Sequence, residues 1–258
     1  MSATQYQNAL ICLAILYVVG VAQSASAMET EVALNEDMAI KGGITPGDAP
    51  GYPITITHPG RYRLTSNLYP PGEISGIEIK SYGVTIEFDG FILSGDSQGD
   101  FGIFGSAVNN VMIMNGFITG FKNPAIIGHD AWIVENMRIA HNNYGIKLEN
   151  YARVLRSTIT WNAAYAINCG NYCHVEGNVI SDNYEAVHID SGTVLGNTIM
   201  HNKTFGIIAN SASSKIGFGN NTLLFNNFMG AGGGNAQVHG YSAGAMMPLQ
   251  PNACSPAC

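Results

Sequence analysis

The sequence predicts an all-β fold, a right-handed parallel β-helix of about eight or nine coils with a cap at each end. Three observations predict it: a repeat of about twenty residues, β-branched residues at fixed places in each repeat, and no sustained apolar period of 3.6 residues. Three short strands cannot bury an apolar face alone, but stacked coils share one continuous core. Parallel strands joined in one sense give a right-handed coil.

The repeat is clearest in the second half of the chain. Four segments align there: RIAHNNYGIKLEN (138–150), TITWNAAYAINCGN (158–171), VISDNYEAVHIDSG (179–192) and TIMHNKTFGIIANS (198–211). Aliphatic residues at matching places predict three inward-facing columns. The columns are Ile139, Ile159, Ile180, Ile199 and Leu223; Ile126, Ile146, Ile167, Val187 and Ile207; and Ile133, Val154, Val175, Val194 and Ile216.

An asparagine follows the first column by three residues in every repeat. The set is Asn142, Asn162, Asn183, Asn202 and Asn226. Asparagine tolerates left-handed backbone at a corner, and stacked amides can hydrogen-bond along a solenoid. These residues are therefore interpreted as architecture and not as catalytic groups.

The chain ends predict export and capping. Residues 1–27 are predicted to be a signal peptide, because an apolar run at 10–22 is followed by the small residues Ala25-Ser26-Ala27 before the cleavage site. No Lys or Arg precedes the run, so an uncleaved membrane anchor is the alternative. No later stretch reaches the roughly 20 apolar residues of a membrane span. We expect an N-terminal cap at 28–52, the β-helix at 53–227, and a Gly-rich cap or tail at 228–258. A secreted or periplasmic monomer is expected.

Charge and cysteine content narrow the ligands and the compartment. The formal net charge is −7 and Lys and Arg are scattered, which argues against nucleic acid as a partner. An acidic polymer would need local cations or a bound metal. Four cysteines after the signal, Cys169, Cys173, Cys254 and Cys258, predict disulfides in an oxidising compartment. Each pair can close locally, or the C-terminal pair can fold back on the first.

Some segments resemble a known group of proteins. ITHPGRYRLTSNL (56–68), GIEIKSYGVTIEFDGFILSG (76–95) and the coils that follow resemble bacterial exported β-helix repeat proteins of the pectin-lyase-like superfamily, over about residues 53–227. The resemblance implies the β-helix fold. It leaves function open, because that superfamily includes polysaccharide lyases, uronan epimerases, glycosidases and proteins without chemistry, and their catalytic signatures are not recognisable in this sequence.

One outward strand face carries the candidate site. Period-two alternation places two outward columns beside the second inward column. They are Ile127, Lys147, Asn168, His188 and Ile208, and then His129, Glu149, Gly170, Asp190 and Asn210. The predicted surface is a shallow groove with charged walls.

The expected roles follow from the chemistry of uronates, where a base removes the proton next to a carboxylate. His188 is the candidate base with Asp190 tuning it, Lys147 neutralises the substrate carboxylate, and Glu149 with Asp190 is a candidate calcium site. Tyr144 and Tyr165 are candidate proton donors or sugar platforms. Asn168, Glu149 and His129 are candidate sugar contacts. The alternative is that these are ordinary polar residues of solvent-facing strands.

A second exposed column lies just before the Asn corner: His141, Trp161, Asp182, His201 and Phe225. Exposed rings suit sugar faces, and Trp161 is the strongest candidate for carbohydrate binding; the alternative is that the rings pack over the corner. The sequence thus predicts an exported β-helix that binds an acidic polysaccharide on an outward strand face, and it leaves open whether the protein also modifies that polymer as a lyase or epimerase. The cofactor is either none or calcium. The alternative is a non-catalytic periplasmic or cell-surface scaffold that binds a partner protein or an envelope component.

Overall fold

The computed structural model describes residues 31–227, 237–240, 246–249 and 251–255. Over these residues the chain forms 27 short strands in three parallel sheets of ten, nine and eight strands, with one short helix. Each sheet pairs strands from successive coils, so the chain winds as a β-solenoid of about eight turns. The predicted β-helix is confirmed.

The strands are numbered in chain order and grouped by sheet. The first sheet contains β1 (Val32–Leu34), β3 (Gly60–Leu64), β5 (Val84–Glu87), β8 (Met112–Met114), β11 (Ile133–Glu135), β14 (Arg153–Leu155), β17 (Cys173–Glu176), β20 (Ser191–Leu195), β23 (Lys215–Gly219) and β26 (Met246–Pro248). The second sheet contains β2 (Ile54–Ile56), β4 (Ile77–Ile79), β7 (Ile103–Phe104), β10 (Pro124–Ile127), β13 (Tyr144–Leu148), β16 (Tyr165–Cys169), β19 (Glu185–Ile189), β22 (Ile207–Ala209) and β25 (Val238–His239). The third sheet contains β6 (Ile92–Gly99), β9 (Phe117–Phe121), β12 (Arg138–Ala140), β15 (Thr158–Thr160), β18 (Val179–Ser181), β21 (Thr198–Met200), β24 (Thr222–Leu224) and β27 (Ala253–Ser255).

The core consists of the inward columns. The Ile139 and Ile126 columns have the predicted register and are fully buried. The third column is Val134, Val154, Val175, Val194 and Phe218. Ile133 and Ile216 were therefore misplaced: Ile133 lies opposite Arg153, and Ile216 lies opposite Gly192. Short corners of variable length moved the register there by one or two residues.

The predicted asparagine ladder is present and buried. Each Nδ2 donates to the Oδ1 of the next Asn, at 3.2 Å from Asn142 to Asn162, 2.9 Å from Asn162 to Asn183, and 3.0 Å from Asn183 to Asn202. The left-handed residue of the corner, however, is the one before each Asn: φ lies between 54° and 59° at His141, Trp161, Asp182, His201 and Phe225. The asparagine side chains hydrogen-bond the backbone of the corner, and the residues before them adopt the left-handed backbone that makes the turn.

A second ladder was not predicted from the sequence. It joins Asn178, Asn197, Asn221 and Asn252 at the corner between the first and third sheets, with Nδ2 to Oδ1 distances of 2.9, 3.0 and 3.1 Å. The residue before the asparagine again has a positive φ, here at Gly177, Gly196 and Asn220. Two hydrogen-bonded ladders therefore fix two corners of the coil.

Both chain ends extend the sheets beyond residues 53–227. In the predicted N-terminal cap, β1 pairs with β3, and helix α1 (Glu36–Lys41) begins at Asn35, whose side chain accepts a hydrogen bond from the Met38 amide. At the other end, β25, β26 and β27 pair with β22, β23 and β24. The described residues of the Gly-rich segment thus form a further coil. The predicted signal peptide lies outside the described residues.

One disulfide closes locally, between Cys169 at the end of β16 and Cys173 at the start of β17, with Cα atoms 6.3 Å apart. Cys254 is also disulfide-bonded, and Cys258, its partner if pairing is local, lies outside the described residues. No helix within the described ranges is long and apolar enough to cross a membrane.

Candidate functional site

The outer face of the second sheet holds the predicted outward column. Lys147, Asn168 and His188 are register partners in β13, β16 and β19. Lys147 is exposed, whereas Asn168 and His188 are half-buried. Two strand spacings of about 4.8 Å place the backbones of Lys147 and His188 about 10 Å apart. These three side chains lie in one row, whereas Ile208, predicted to face outward in the same column, is buried. The chemical roles of the row stay predictions.

The alternation of inward and outward residues breaks inside these strands. Ala186 and Val187 are consecutive and both fully buried, so Glu185 and His188 lie three residues apart on the same outer face. The position before the aliphatic column is Gly or Ala in the coils from Gly76 to Gly206, and a Cβ at Gly145 would lie 2.2 Å from the Ala166 carbonyl oxygen. This close approach of successive coils brings Glu185, which the sequence reading overlooked, beside His188.

His188 has an acceptor at each ring nitrogen. Its Nε2 lies 2.8 Å from Glu185 Oε2, and its Nδ1 lies 3.2 Å from Asn210 Oδ1. Nε2 is buried and has no partner of hydrogen-bond geometry, so the contact with Glu185 is an ion pair when His188 is protonated. This polar contact and the charge of an imidazolium lower the pKa of the Glu185 carboxyl, while partial burial acts in the opposite direction. Glu185, not Asp190, is the carboxylate in contact with His188.

Two tyrosines continue the same face. The Tyr144 and Tyr165 rings have centroids 4.9 Å apart at an interplanar angle of 42°, and the Tyr165 ring lies 6.5 Å from the His188 ring. Tyr165 is the register partner of Glu185. Burial, with a smaller contribution from Tyr144, raises the pKa of Tyr165 to about 12, so its hydroxyl keeps its proton at neutral pH. A half-buried aromatic platform thus adjoins the Glu185–His188 pair.

The candidate calcium ligands are far apart in the fold. Glu149 and Asp190 flank Gly170 in the successive coils, which places their backbones about 10 Å apart. Across the described part of the chain, no group of three or more His, Cys, Asp or Glu side chains could hold a metal ion. A calcium site at Glu149 and Asp190 stays a prediction. The last predicted sugar contact, His129, lies one coil before Glu149, with Nδ1 3.1 Å from Asn109 Oδ1.

In the predicted ridge at the corner, Asp182 is half-buried and the other four residues are exposed, and its binding of sugars stays a prediction. Trp161 is 59% exposed and stacks on His141 with centroids 6.4 Å apart and an interplanar angle of 12°. Further along, His201 stacks on Phe225 at 5.6 Å. Trp161 also lines a shallow groove with Lys122. The left-handed backbone at these positions turns the side chains outward. Trp161 precedes Tyr165 by four residues, so the exposed ridge lies next to the tyrosine platform.

Comparison with known proteins adds little. No family model matches the chain, and no curated protein matches it. Among solved structures, the A-module of the mannuronan C-5 epimerase AlgE6 from Azotobacter vinelandii is similar, with 13% sequence identity, a TM-score of 0.38, and coverage of 74% of this chain and 74% of that one. At this level of similarity, nothing about the function of this chain is taken from it.

Proposed function

We propose that this protein binds an acidic polysaccharide along the outer face of the second sheet. The observation that carries the proposal is the row of Tyr144, Tyr165, Glu185 and His188 across successive coils, with Lys147 on the same face. Aromatic faces cover the apolar patches of sugar rings, and strands on a regular 4.8 Å spacing suit an extended chain. The half-buried tyrosines form the platform, and Trp161 extends it at the corner.

Lys147, together with His188 when its ring is protonated, offsets the acidity of the protein on this face. Lys147 is exposed, and the two acceptors around His188 match an imidazolium, which donates from both nitrogens. A carboxylate-bearing polymer can therefore find positive charge at two points about two coils apart, although the formal net charge is −7. Calcium bound through Glu149 and Asp190 would add to that charge.

A catalytic form of the proposal uses the same residues. In this form His188 acts as the neutral imidazole: the ring nitrogen that has left Asn210 or Glu185 carries the lone pair and takes the proton from the carbon next to the uronate carboxylate, and the electron pair moves into that carboxylate. A lyase then breaks the bond to the neighbouring sugar oxygen, which takes a proton from Tyr165. An epimerase instead returns a proton to the carbon from the opposite face. Asp190 would act on His188 at longer range than Glu185 does.

Export is part of the same proposal. The buried Cys169–Cys173 disulfide suits an oxidising compartment, and the signal peptide predicted at residues 1–27 would direct the chain there. Acidic polysaccharides are met outside the cytoplasm, in the periplasm or beyond.

The test is proton NMR of the protein with a panel of polyuronates and neutral glucans, with and without calcium. Line broadening of one polyuronate reports binding, a new double bond reports a lyase, and inversion at the carboxylate-bearing carbon reports an epimerase. Tyr165→Ala and Lys147→Ala are each expected to weaken binding about tenfold or less, in line with about 1 kcal/mol per stacking or ionic contact. Arg153→Ala, on the first sheet, is the matched control and should leave binding unchanged.

The outcomes separate the alternatives. Binding without chemical change supports a carbohydrate-binding protein and removes the catalytic form. Chemical change that His188→Ala abolishes makes the face an active site. If no polymer broadens or changes, the proposal is wrong, and the non-catalytic scaffold becomes the better account.

A further inference from the structure

The outer face of the first sheet carries a hydroxyl, an imidazole and a carboxylate in a row. Thr193 Oγ1 lies 2.6 Å from His174 Nδ1, and His174 Nε2 lies 2.8 Å from Glu176 Oε2. Thr193 is the register partner of His174 in the neighbouring strand, and Glu176 follows His174 by two residues. The flanking Val175 and Val194 are fully buried, so the three polar side chains face outward together.

The hydrogen bonds fix where the proton of a neutral His174 lies. A carboxylate only accepts, so Glu176 requires the ring proton on Nε2. The lone pair is then on Nδ1, and the Thr193 hydroxyl at 2.6 Å must be the donor. This is the arrangement in which a histidine can take a hydroxyl proton as the oxygen attacks an electrophile. Such sites are recognised by geometry and roles, whichever ring nitrogen serves as the base.

The neighbour of Thr193 on the side away from His174 is apolar. Its register partner there is Gly217, which is buried. Leu249 lies over Gly217, since a Cβ on that glycine would be 2.7 Å from Leu249 Cδ1. Leu249 and Met247 are 54% and 42% exposed. The hydroxyl therefore lies between a polar relay and a shelf suited to a small acyl group.

We propose that Thr193, His174 and Glu176 form an esterase site for exposed esters of short-chain carboxylic acids. The shelf takes the acyl group, and the flat surface admits an ester carried on a larger molecule. Arg153, the register partner of His174 on its other side, lies two strand spacings or about 10 Å from Thr193 at the backbone, and its long side chain would have to reach across His174 to face the developing oxyanion. This activity goes beyond polysaccharide binding and lies on a different sheet.

Ester hydrolysis at this site needs no reactant other than the ester and water. Thr193 Oγ1 bonds to the ester carbonyl carbon as its proton passes to His174 Nδ1, and Glu176 stabilises the imidazolium. The bond to the alcohol oxygen then breaks, and that oxygen takes the proton from Nδ1. Water attacks the acyl-Thr193 carbon in the same way, its proton passes to Nδ1, and the carboxylic acid leaves as Thr193 regains its hydroxyl proton.

The experiment measures hydrolysis of p-nitrophenyl acetate by the full chain. Thr193→Val keeps the β-branched shape and removes the hydroxyl, and kcat/KM is expected to fall about 100-fold. Glu176→Gln should lower kcat about tenfold with KM little changed, and Thr193→Ser should retain activity. Acid quenching during turnover should leave one acetyl group on the peptide that contains Thr193, as seen by mass spectrometry.

The chain offers a matched control. Thr57 Oγ1 lies 3.0 Å from His58 Nδ1, but no carboxylate in the described part of the chain pairs with His58. Thr57→Val should therefore leave hydrolysis unchanged. The proposal is overturned if the wild type does not hydrolyse the ester, if Thr193→Val matches the wild type, or if the acetyl group is found elsewhere. Thr193→Val should not alter polyuronate binding, so the two proposals fail independently.

Discussion

The protein carries two histidine–glutamate pairs with the same 2.8 Å separation on two different faces. The difference lies in the third partner. Asn210 presents an acceptor to His188 Nδ1, whereas Thr193 presents a hydroxyl to His174 Nδ1. Two acceptors suit an imidazolium that holds charge, and one acceptor with one donor suits a neutral ring that can take a proton. The third partner, more than the pair itself, determines what each histidine can do.

Burial separates the two pairs as well. The side chains of His188 and Glu185 are 18% and 29% exposed, against 28% and 50% for His174 and Glu176. A half-buried charge that loses its partner is less well solvated than an exposed one. The comparison therefore predicts unequal consequences of the same substitution on the two faces.

The largest expected effect is on folding stability. Glu185→Gln should lower the free energy of unfolding by about 1–2 kcal/mol, because it leaves the half-buried His188 without its counter-charge. Glu176→Gln should lower it by less than about 0.5 kcal/mol, as for exposed pairs. Urea unfolding at neutral pH measures both. Equal losses from the two variants would show that burial does not distinguish the pairs.

The acid side of the stability curve sharpens the same comparison. The pKa of Glu185 is lower in the folded chain, so its contribution is present above the ordinary glutamate pKa of about 4.3 and is lost as pH falls through the folded value. The stability difference between the wild type and Glu185→Gln should therefore shrink between about pH 5 and pH 3. Urea unfolding at several pH values measures it, and a constant difference would contradict the ion pair.

The Ile139 and Ile126 columns and the Asn142 ladder could be predicted from the sequence because they repeat about every twenty residues with little change. Lys147, Asn168 and His188 followed from the same register. Glu185 did not, because strict period two points it inward. The signal was the Gly or Ala at the matching places from Gly76 to Gly206, Gly145 and Ala186 among them, which lets two consecutive residues face the core.

The second asparagine ladder and the row of Thr193, His174 and Glu176 were not predicted for a different reason. Asn178, Asn197 and Asn221 also recur at intervals of about twenty, but the alignment was anchored on the other corner. Thr193 and His174 are joined only through the pairing of β20 with β17, and nothing in the local sequence around either residue indicates a site. Their relation depends on corner lengths, which also displaced Ile133 and Ile216 from the predicted column.

Alkaline titration tests the Tyr144–Tyr165 platform that lies beside the Glu185–His188 pair. Burial raises the pKa of Tyr165 to about 12, so the folded chain keeps a proton that the unfolded chain loses near pH 10. Stability from this group is complete below about pH 10 and is lost as pH rises toward 12. Tyr165→Phe should remove part of the late phenolate absorbance near 295 nm and flatten this limb. An unchanged late fraction would show that Tyr165 is more accessible to water than its packing indicates.

The smallest expected effect compares two tyrosine pairs of the same two coils. Tyr151 and Tyr172 stack at 5.0 Å and 14° but are 59% and 66% exposed, whereas Tyr144 and Tyr165 are half-buried at 4.9 Å. Double-mutant cycles that replace each tyrosine by leucine should give a coupling free energy of about 1 kcal/mol for the half-buried pair and about 0.5 kcal/mol or less for the exposed pair. Exposed rings gain little from each other because water already solvates both. If the exposed pair couples as strongly as the half-buried one, burial does not set the strength of the contact between the two rings.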